Sequence, residues 1–534
     1  MTVLPHEHRL GTGVSKLIRM SAGHTLPLAY AGGMTGNGLG SAVPEDVSSW
    51  AARQRWFADT GRPVALARVG GWSLPSGEPG VLIRTDCVVD AGDPRRTVYQ
   101  LPVTEREVAL PGGEAALITT LTGADGRRKF VYDAPADPAY ARALLLLILR
   151  RGTSGPGADG CSVAEGETFP NGLAGGVPGG VPGDGVAPEG VEPTVVSSHV
   201  LRGEQSNTSI IYELAGPDGR ALTPVICKVF RALHHGDNPD VTVQSALARA
   251  GSHFVPLPVG CIVGDWADPR APGGTARGHL AFAQEFLPGV EDAWRVVLSA
   301  ARRNEDFTAR ARSLGVATAA VHADLADAMP TAEPTAEVVG TVLDGLRARA
   351  RRAIAEVPAL DRYAPAIEAV FAAAAEVSWP RLQRIHGDLH LGQVLLVPGR
   401  GWVLVDFEGE PLTPLEDRTR VDVPWRDVAG MLRSFSYAAG TVAREAPERT
   451  GVVTGWAQAC RRAFLAGYSE RSGRSLGEQR PLLGAFELDK ALYEVVYEKL
   501  NRPDWLPIPL AAIDALLAPV PVPVPVPAAV RESG

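Results

Sequence analysis

One short stretch of the sequence gathers residues whose types and spacing could do chemistry. His386-Gly387-Asp388-Leu389-His390-Leu391-Gly392-Gln393 is followed by an apolar run at 394–397 and a turn at Pro398-Gly399-Arg400-Gly401. A second apolar run, 402–405, then delivers Asp406-Phe407-Glu408-Gly409. Apolar run, turn, apolar run reads as a hairpin. Such a hairpin folds the chain back, so that Asp388 and Gln393 at its entrance lie near Asp406 at its exit. Two carboxylates and an amide then converge. Oxygen donors of this kind suit Mg²⁺, which keeps several waters. They also suit transfer of a phosphoryl group, which needs metal on the phosphates, a lysine on their oxygens and an acceptor hydroxyl held in line. Asp388 is the candidate catalytic base or hydroxyl positioner, and Gln393 and Asp406 are the candidate metal ligands. Gly-Asp alone commonly just makes a turn; the joined set carries the chemistry. His386 and His390 straddle Asp388, yet no third His or Cys stands at ligand spacing, which argues against zinc.

The lysine and the phosphate-gripping loop are sought upstream. Strand-like runs at 209–214 and 224–230 flank a turn at Gly216-Pro217-Asp218-Gly219, a second hairpin. Lys228 sits in its second strand between Cys227 and Val229. That position fits a phosphate-binding lysine and also fits a lysine on an exposed strand face. The loop before this hairpin has no G-x-G-x-x-G. Its Gln205, Ser206, Asn207 and Thr208 offer amide, hydroxyl and backbone N–H groups for nucleotide phosphates, or ordinary turn chemistry. A third β run, 281–286, holds Gln284, Glu285 and Phe286, the expected connection between lobes, where an adenine would use backbone groups. Asp427 reads either as a brace for the catalytic loop or as a helix cap.

The elements that must position these residues follow a simple order. Residues 1–45, without periodicity, read as a flexible tail. Residues 46–150 read as a small β-rich unit that opens helix-like at 50–57 and closes with an Ala/Leu-rich helix around 138–150. Segment 151–193 is dominated by Gly and Pro and reads as a linker or insertion. Residues 194–290 form a β-rich lobe. Residues 291–518 are helical apart from the catalytic hairpin, with Phe307, Ala311, Leu314, Thr318, Val321 and Leu325 along one helix face. Residues 519–534 are a Pro-Val tail that can only be extended. The fold class is therefore α+β: a bilobal, protein-kinase-like fold with a β-rich N-lobe, a helical C-lobe and an extra N-terminal cap domain.

Composition narrows the function classes. The 534 residues carry 52 Lys+Arg against 60 Asp+Glu, a net charge of −8. An acidic chain argues against a nucleic-acid-binding face. Five scattered Cys, none in a C-x-x-C pair, fit buried thiols in a reducing compartment better than a disulfide framework. The longest apolar run, 143–149, is too short to span a bilayer. The expectation is a cytoplasmic protein that binds neither nucleic acid nor membrane.

Narrower strings carry a family resemblance. His386-Gly387-Asp388 resembles the protein-kinase catalytic-loop pattern with Gly in place of Arg, and Asp406-Phe407 resembles the metal-binding Asp-Phe. The strings His386–Gln393, Asp406-Phe407-Glu408-Gly409-Glu410-Pro411 and Asn501-Arg502-Pro503-Asp504-Trp505-Leu506-Pro507-Ile508-Pro509 together resemble the actinobacterial maltokinases, relatives of the aminoglycoside phosphotransferases. The resemblance spans roughly 46–150 and 196–517. It implies ATP and Mg²⁺ as cofactors and phosphorylation of maltose to maltose 1-phosphate, feeding α-glucan synthesis from trehalose, with a trehalose synthase as functional partner. It also implies His390, Glu408, Arg433, Tyr437, Glu494, Tyr497 and Arg502 as acceptor-binding residues; taken alone, Tyr497 and Glu494 read as core aromatic and solvated stripe. One departure stands out: relatives carry a Glu for the strand lysine soon after Asn238-Pro239-Asp240, where this chain has Thr242. Asp240 or Gln244 are the available substitutes. Competing expectations are another sugar or an aminoglycoside-like acceptor, or a non-catalytic binder of sugar or nucleotide.

Overall fold

The structure is a computed structural model that describes residues 41–58, 62–123, 125–157, 162–170, 192–201, 206–268, 270–410, 413, 415–474 and 476–518. Gln205, Cys161, most of the expected N-terminal tail, much of the Gly/Pro-rich segment and the Pro-Val tail lie outside the described residues.

The N-terminal unit begins with helix α1 (Glu45–Ala51) and strands β1 (Leu66–Leu74), β2 (Val81–Asp90), β3 (Val98–Arg106), β4 (Leu117–Thr122) and β5 (Arg128–Asp133). Helix α2 (Pro138–Leu149) follows, then the short β6 (Gly155–Pro156). The antiparallel sheet runs β4-β5-β3-β2-β1-β6. Two boundaries differ from the compositional expectation. Val43 is buried and its N–H bonds the Leu66 carbonyl at 3.0 Å, so the end of the tail is part of this sheet's packing. The helix at the start stops at Ala51, and residues 52–57 turn instead. The turn packs Trp56 and Phe57 around Tyr99, the latter with ring centroids 4.6 Å apart. Burying such rings outweighs a few more helical residues.

The second sheet runs β7-β12-β13-β10-β9-β8. Its strands are β7 (Val163–Thr168), β8 (Thr194–Val200), β9 (Asn207–Ala215), β10 (Val225–Phe230), β12 (Pro258–Ala267) and β13 (Thr275–Glu285); the two-residue β11 (Ala232–Leu233) instead pairs with β3. Strand β7, at one edge, comes from the stretch whose composition reads as linker. The expected hairpin is β9–β10, in the register Ile211↔Ile226 and Ser209↔Lys228. Alternation then sorts the residues onto two faces. Ile210, Tyr212, Cys227, Val229, Ala281 and Ala283 share one buried cluster with α2 and with Trp72, Ile83, Val89 and Val98 of the first sheet. A Tyr212 hydroxyl bond to the Ala141 carbonyl (3.0 Å) and Gln100 amide bonds to the Phe230 and Leu280 carbonyls (2.7 and 2.9 Å) lock the two sheets together. Each fully buried leucine of α2 contributes about 1.5–3 kcal/mol. The opposite face carries Lys228 and its cross-strand partners Ser209 and Phe282. Helix α3 (Pro239–Arg249) lies beside it, started by Pro239 and capped by Asn238, whose side chain accepts from the Asp240 N–H at 2.8 Å.

The rest is helical. After the two-residue β14 (Glu291–Asp292) come α4 (Ala293–Arg303), α5 (Thr308–Ala328), α6 (Ala336–Glu356) and α7 (Ala364–Ala375). The expected hairpin is β15 (Val394–Val397) and β16 (Gly401–Leu404), with β14 added to its edge. Then follow α8 (Leu415–Arg418), α9 (Trp425–Glu445), α10 (Thr450–Ser472), α11 (Leu476–Asn501) and α12 (Pro507–Leu517). The face predicted for α5 is buried throughout: Phe307, Ala311, Leu314, Thr318, Val321 and Leu325 are each at most 1% exposed. α5 and α10 approach so closely that a Cβ at Gly315 or Gly467 would overlap backbone of the other helix. Cys87, Cys227, Cys261 and Cys460 are buried. Among the described residues no helix is long and apolar enough to cross a membrane.

Candidate active site

Lys228 is the hub between the lobes. Its Nζ donates to Asp240 Oδ2 (2.7 Å), Asp406 Oδ1 (2.7 Å) and Glu408 Oε1 (3.0 Å). The substitute for the absent helix glutamate is therefore Asp240. It lies in the first turn of α3, where the helix N-terminus favours a carboxylate. Asp240 is fully buried; its Oδ1 accepts from the Phe407 N–H (2.8 Å) and from Gln244 Nε2 (2.6 Å). One carboxylate thus ties the lysine to the loop that carries Asp406. Thr242 does not face the lysine: its hydroxyl donates to the Asn238 carbonyl at 3.3 Å, within its own helix. Burial works to lower the Lys228 pKa, and the three carboxylates outweigh it, holding the ammonium well above its ordinary value.

Asp406 takes φ +67°, a left-handed conformation that Asp tolerates better than most residues. This bend turns one carboxylate oxygen to Lys228 and the other to Gln393, whose Nε2 donates at 2.8 Å. Burial works to raise the Asp406 pKa, and Lys228, with His386 and the Gln393 hydrogen bond, more than offsets it, so the carboxyl is held below its usual range. For Glu408 burial prevails, and the carboxyl is pushed up to about 6. Asn207 Nδ2 donates to Glu408 Oε1 at 2.8 Å, linking the start of β9 to the same loop. The carboxylate oxygens of Asp240, Asp406 and Glu408 lie within 4.8 Å of one another. Together with the Gln393 amide they form an oxygen-rich set of the kind a hard cation takes.

Asp388 stands on a loop fixed from behind. Asp427, near the start of α9, does not cap its own helix. Its carboxylate accepts from the backbone N–H of His386 (2.7 Å) and of Gly387 (2.9 Å) and contacts His322 Nε2 at 3.0 Å. The other ring nitrogen of His322 meets the Tyr468 hydroxyl at 2.9 Å. Burial works against charge on Asp427, yet the hydrogen bond from His322 and the loop N–H groups bring its pKa below the usual value. Gly387 has φ +86°, which a residue with a Cβ rarely adopts. His386 Nε2 meets the Val405 carbonyl at 3.0 Å, and its ring packs on Phe407 with centroids 4.6 Å apart. The loops bearing Asp388 and Asp406 are therefore joined side by side, as the hairpin requires.

In front of Asp388 lies a pocket lined by Glu410, Arg349, Arg426, Phe486, Asp489, Lys490 and Tyr493. Lys490 Nζ donates to Asp388 Oδ1 at 2.9 Å and reaches Glu410 Oε1 at 3.4 Å. Asp489 is held by Arg349 (2.7 Å) and Arg426 (3.2 Å). No spacing in the sequence marks Arg349, Glu410, Arg426 and Asp489 as neighbours; three helices and a loop bring them together. Lys490 lies one helical turn before Glu494 on α11.

The predicted residues divide into groups. Lys228, Asn207, Gln393, Asp406 and Glu408 come together; Glu408 is on the Lys228 side and apart from the other residues assigned to the acceptor. Thr208 is on the opposite sheet face, where its hydroxyl accepts from buried Arg231 at 2.8 Å; strand alternation turns it toward the cap and away from the cleft. Ser206 is exposed. Glu285 is engaged at the connection, accepting from Arg400 (2.9 Å) and the Leu257 N–H (3.1 Å), while the Phe286 N–H is used by the Pro224 carbonyl (2.8 Å). Gln284 is on the Lys228 face, and its Oε1 is buried without a partner among the described residues. His390 Nδ1 accepts from the Gly392 N–H (3.0 Å) and so serves its own loop. Arg433 pairs with Glu494 (2.6 Å), Tyr437 with Glu498 (2.5 Å), and Arg502 with Glu498 (2.6 Å), with Tyr437 stacked on Trp505. Arg502 also lies over the Tyr497 ring.

Comparison with known proteins agrees with this geometry. Residues 50–137 match the maltokinase N-terminal cap domain, and residues 240–472 match the phosphotransferase enzyme family. A glucosamine kinase of Mycolicibacterium smegmatis (strain ATCC 700084 / mc(2)155) is 28% identical over 355 residues, covering 60% of this chain and 81% of the relative. A glucosamine kinase of Streptacidiphilus jiangxiensis is 30% identical over 293 residues, covering 51% of this chain and 64% of that one. Among solved structures, a glucosamine kinase in complex with glucosamine, ADP and inorganic phosphate shares the fold, with TM-score 0.55, 22% identity and coverage of 88% of this chain and 99% of that one. The chain thus joins a segment that matches the maltokinase N-terminal cap domain to a segment that matches the phosphotransferase enzyme family, in a kinase-like fold.

Proposed function

We propose that the chain transfers the γ-phosphoryl group of ATP to a hydroxyl of maltose. The observation that carries the kinase reading is the junction of Lys228, Asp406 and Gln393 with the loop that presents Asp388. Lys228 binds the phosphates and orients them toward the acceptor. Asp388 accepts the proton of the attacking hydroxyl as the new O–P bond forms and the bond to ADP breaks. Asp427 holds the Asp388 loop through two N–H groups, which fixes the backbone that presents the base. Asp406 and Gln393 would hold Mg²⁺, which neutralises phosphate charge when bound. Asp240 as lysine partner weighs against the non-catalytic alternative, because Lys228 keeps an ion pair with a helix carboxylate despite Thr242.

Maltose rests on the cap and on the strings 406–411 and 501–509. On this reading a maltose-forming trehalose synthase would supply the acceptor. A second acceptor, glucosamine, is favoured by the names of the relatives. Incubation with ATP, Mg²⁺ and either sugar, followed by NMR of the product, tests both. Maltose 1-phosphate is the expected product; glucosamine phosphate formed in its place refutes the acceptor. Asp388→Asn is expected to lower turnover by about 10²–10⁴-fold while leaving nucleotide affinity unchanged. Wild-type turnover in that variant refutes the role of Asp388.

A further inference from the structure

The pocket in front of Asp388 holds an ammonium cage that the chain fills with its own side chain. Lys490 Nζ lies 2.9 Å from Asp388 Oδ1, 3.4 Å from Glu410 Oε1 and 4.7 Å from the centre of the Tyr493 ring. Two carboxylates and an aromatic face form the constellation that recognises an alkylammonium ion. Lys490 is held there from both sides: α11 supplies Lys490 and Tyr493, and the loops of the catalytic hairpin supply Asp388 and Glu410. The side chain is only 25% exposed, so little water screens it. The remaining charges of the pocket offer no second anionic seat. Asp489 is taken by Arg349 and Arg426, and Asp427 by His322 and two backbone N–H groups.

We propose that Lys490 is a specificity-determining residue that closes the acceptor pocket to ammonium-bearing sugars and leaves it open to neutral ones. The inference rests on the kinase reading above and names its acceptor class. A neutral hydroxyl can approach Asp388 beside the lysine and accept a hydrogen bond from it. A protonated amine meets a fixed like charge, and both carboxylates that would receive it are already engaged. Removing the charge at 490 leaves two carboxylates and a ring face without their cation, which an amino sugar can then supply.

The test compares kcat/KM for maltose and glucosamine in the wild type and in Lys490→Met, which keeps an apolar stem without the charge. The expected result is a wild type that prefers maltose by tenfold or more, and a variant whose ratio moves toward glucosamine by tenfold or more. Wild-type turnover of glucosamine equal to that of maltose overturns the inference while the kinase reading stands. So does an unchanged ratio in the variant. No turnover of any sugar by the wild type overturns the kinase reading and this inference with it. If Lys490→Met is inactive toward both sugars, Lys490→Ala with added methylammonium decides. Recovery of maltose turnover by methylammonium, and not by sodium at equal ionic strength, supports the cage; absence of recovery overturns it.

Discussion

Asp240→Asn isolates the carboxylate that stands in for the absent helix glutamate. The wild-type side chain has no exposed surface and receives three hydrogen bonds, from Lys228 Nζ, the Phe407 N–H and Gln244 Nε2. An amide of the same shape has one acceptor oxygen and a donor NH₂. Whichever way it turns, a buried donor faces either the ammonium or another N–H. Lys228 keeps Asp406 and Glu408, so its charge is not left unpaired, and the full penalty of a broken buried ion pair does not apply. What is lost is one charge-assisted hydrogen bond, about 1.5–3 kcal/mol. That converts to a roughly ten- to hundredfold loss in kcat/KM for ATP. The loss should appear in a coupled ADP-release assay with the acceptor saturating. Thr242→Glu in the Asp240→Asn background should restore nothing, since position 242 bonds back along its own helix and not toward Lys228. Wild-type kcat/KM in Asp240→Asn, or rescue by Thr242→Glu, would refute the assignment of Asp240 as the lysine's partner.

The remaining predictions concern the loops that Asp240 helps to hold. Asp427→Ala leaves the N–H groups of His386 and Gly387 and a ring nitrogen of His322 without their buried acceptor, and should lower unfolding free energy by about 3–5 kcal/mol, read from the urea midpoint. A midpoint equal to the wild type contradicts the bracing role. Glu408 gives a pH signature. Its carboxyl is pushed up by burial to about 6, from an ordinary 4.5. A raised pKa means that the fold holds this proton more tightly than the unfolded chain does. The stabilisation is therefore complete below about pH 4.5 and is lost as pH rises through about 6. Relative to Glu408→Gln, the nucleotide-free wild type should lose about 2 kcal/mol of stability across that window. Parallel pH profiles of the two proteins would show that the carboxyl is not perturbed in this way.

Much of this architecture was legible because its causes are local. The β9–β10 hairpin follows from period-two apolar runs around a Gly-Pro-Asp-Gly turn, and the α5 face from apolar residues at helical spacing. What escaped depends on contacts distant in sequence or on single dihedral angles. Thr208 and Asn207 are adjacent, yet alternation sends one to the cap and the other to the cleft. Asp240 was one of two substitutes, and only the start of α3 at Pro239 decides between them, because it sets which side chain the first turn presents to Lys228. β7 escaped because a Gly- and Pro-rich neighbourhood says nothing about an edge strand that gains its hydrogen bonds from β12. Arg349, Arg426 and Asp489 lie on three helices, and no periodicity links them.

The string from Asp406 to Glu410 shows the limit of reading a motif as a unit. In an extended strand the side chains at 406, 408 and 410 would share one face. Here they serve two different cations: Asp406 and Glu408 go to Lys228, and Glu410 goes to Lys490. The division is made by backbone, since Asp406 and Gly409 both take positive φ, +67° and +75°. Two bends within four residues break the alternation. One ammonium ion is left to the phosphate side of the cleft and another to the acceptor side, with Asp388 beside the second. On the proposed reading, the carboxylate that accepts the acceptor's proton is thus paired with a lysine on a C-lobe helix, separate from the lysine assigned to the nucleotide. If that reading holds, charge can be altered on one side of the reaction at a time, and substitutions at 228 and 490 should change nucleotide affinity and acceptor choice separately.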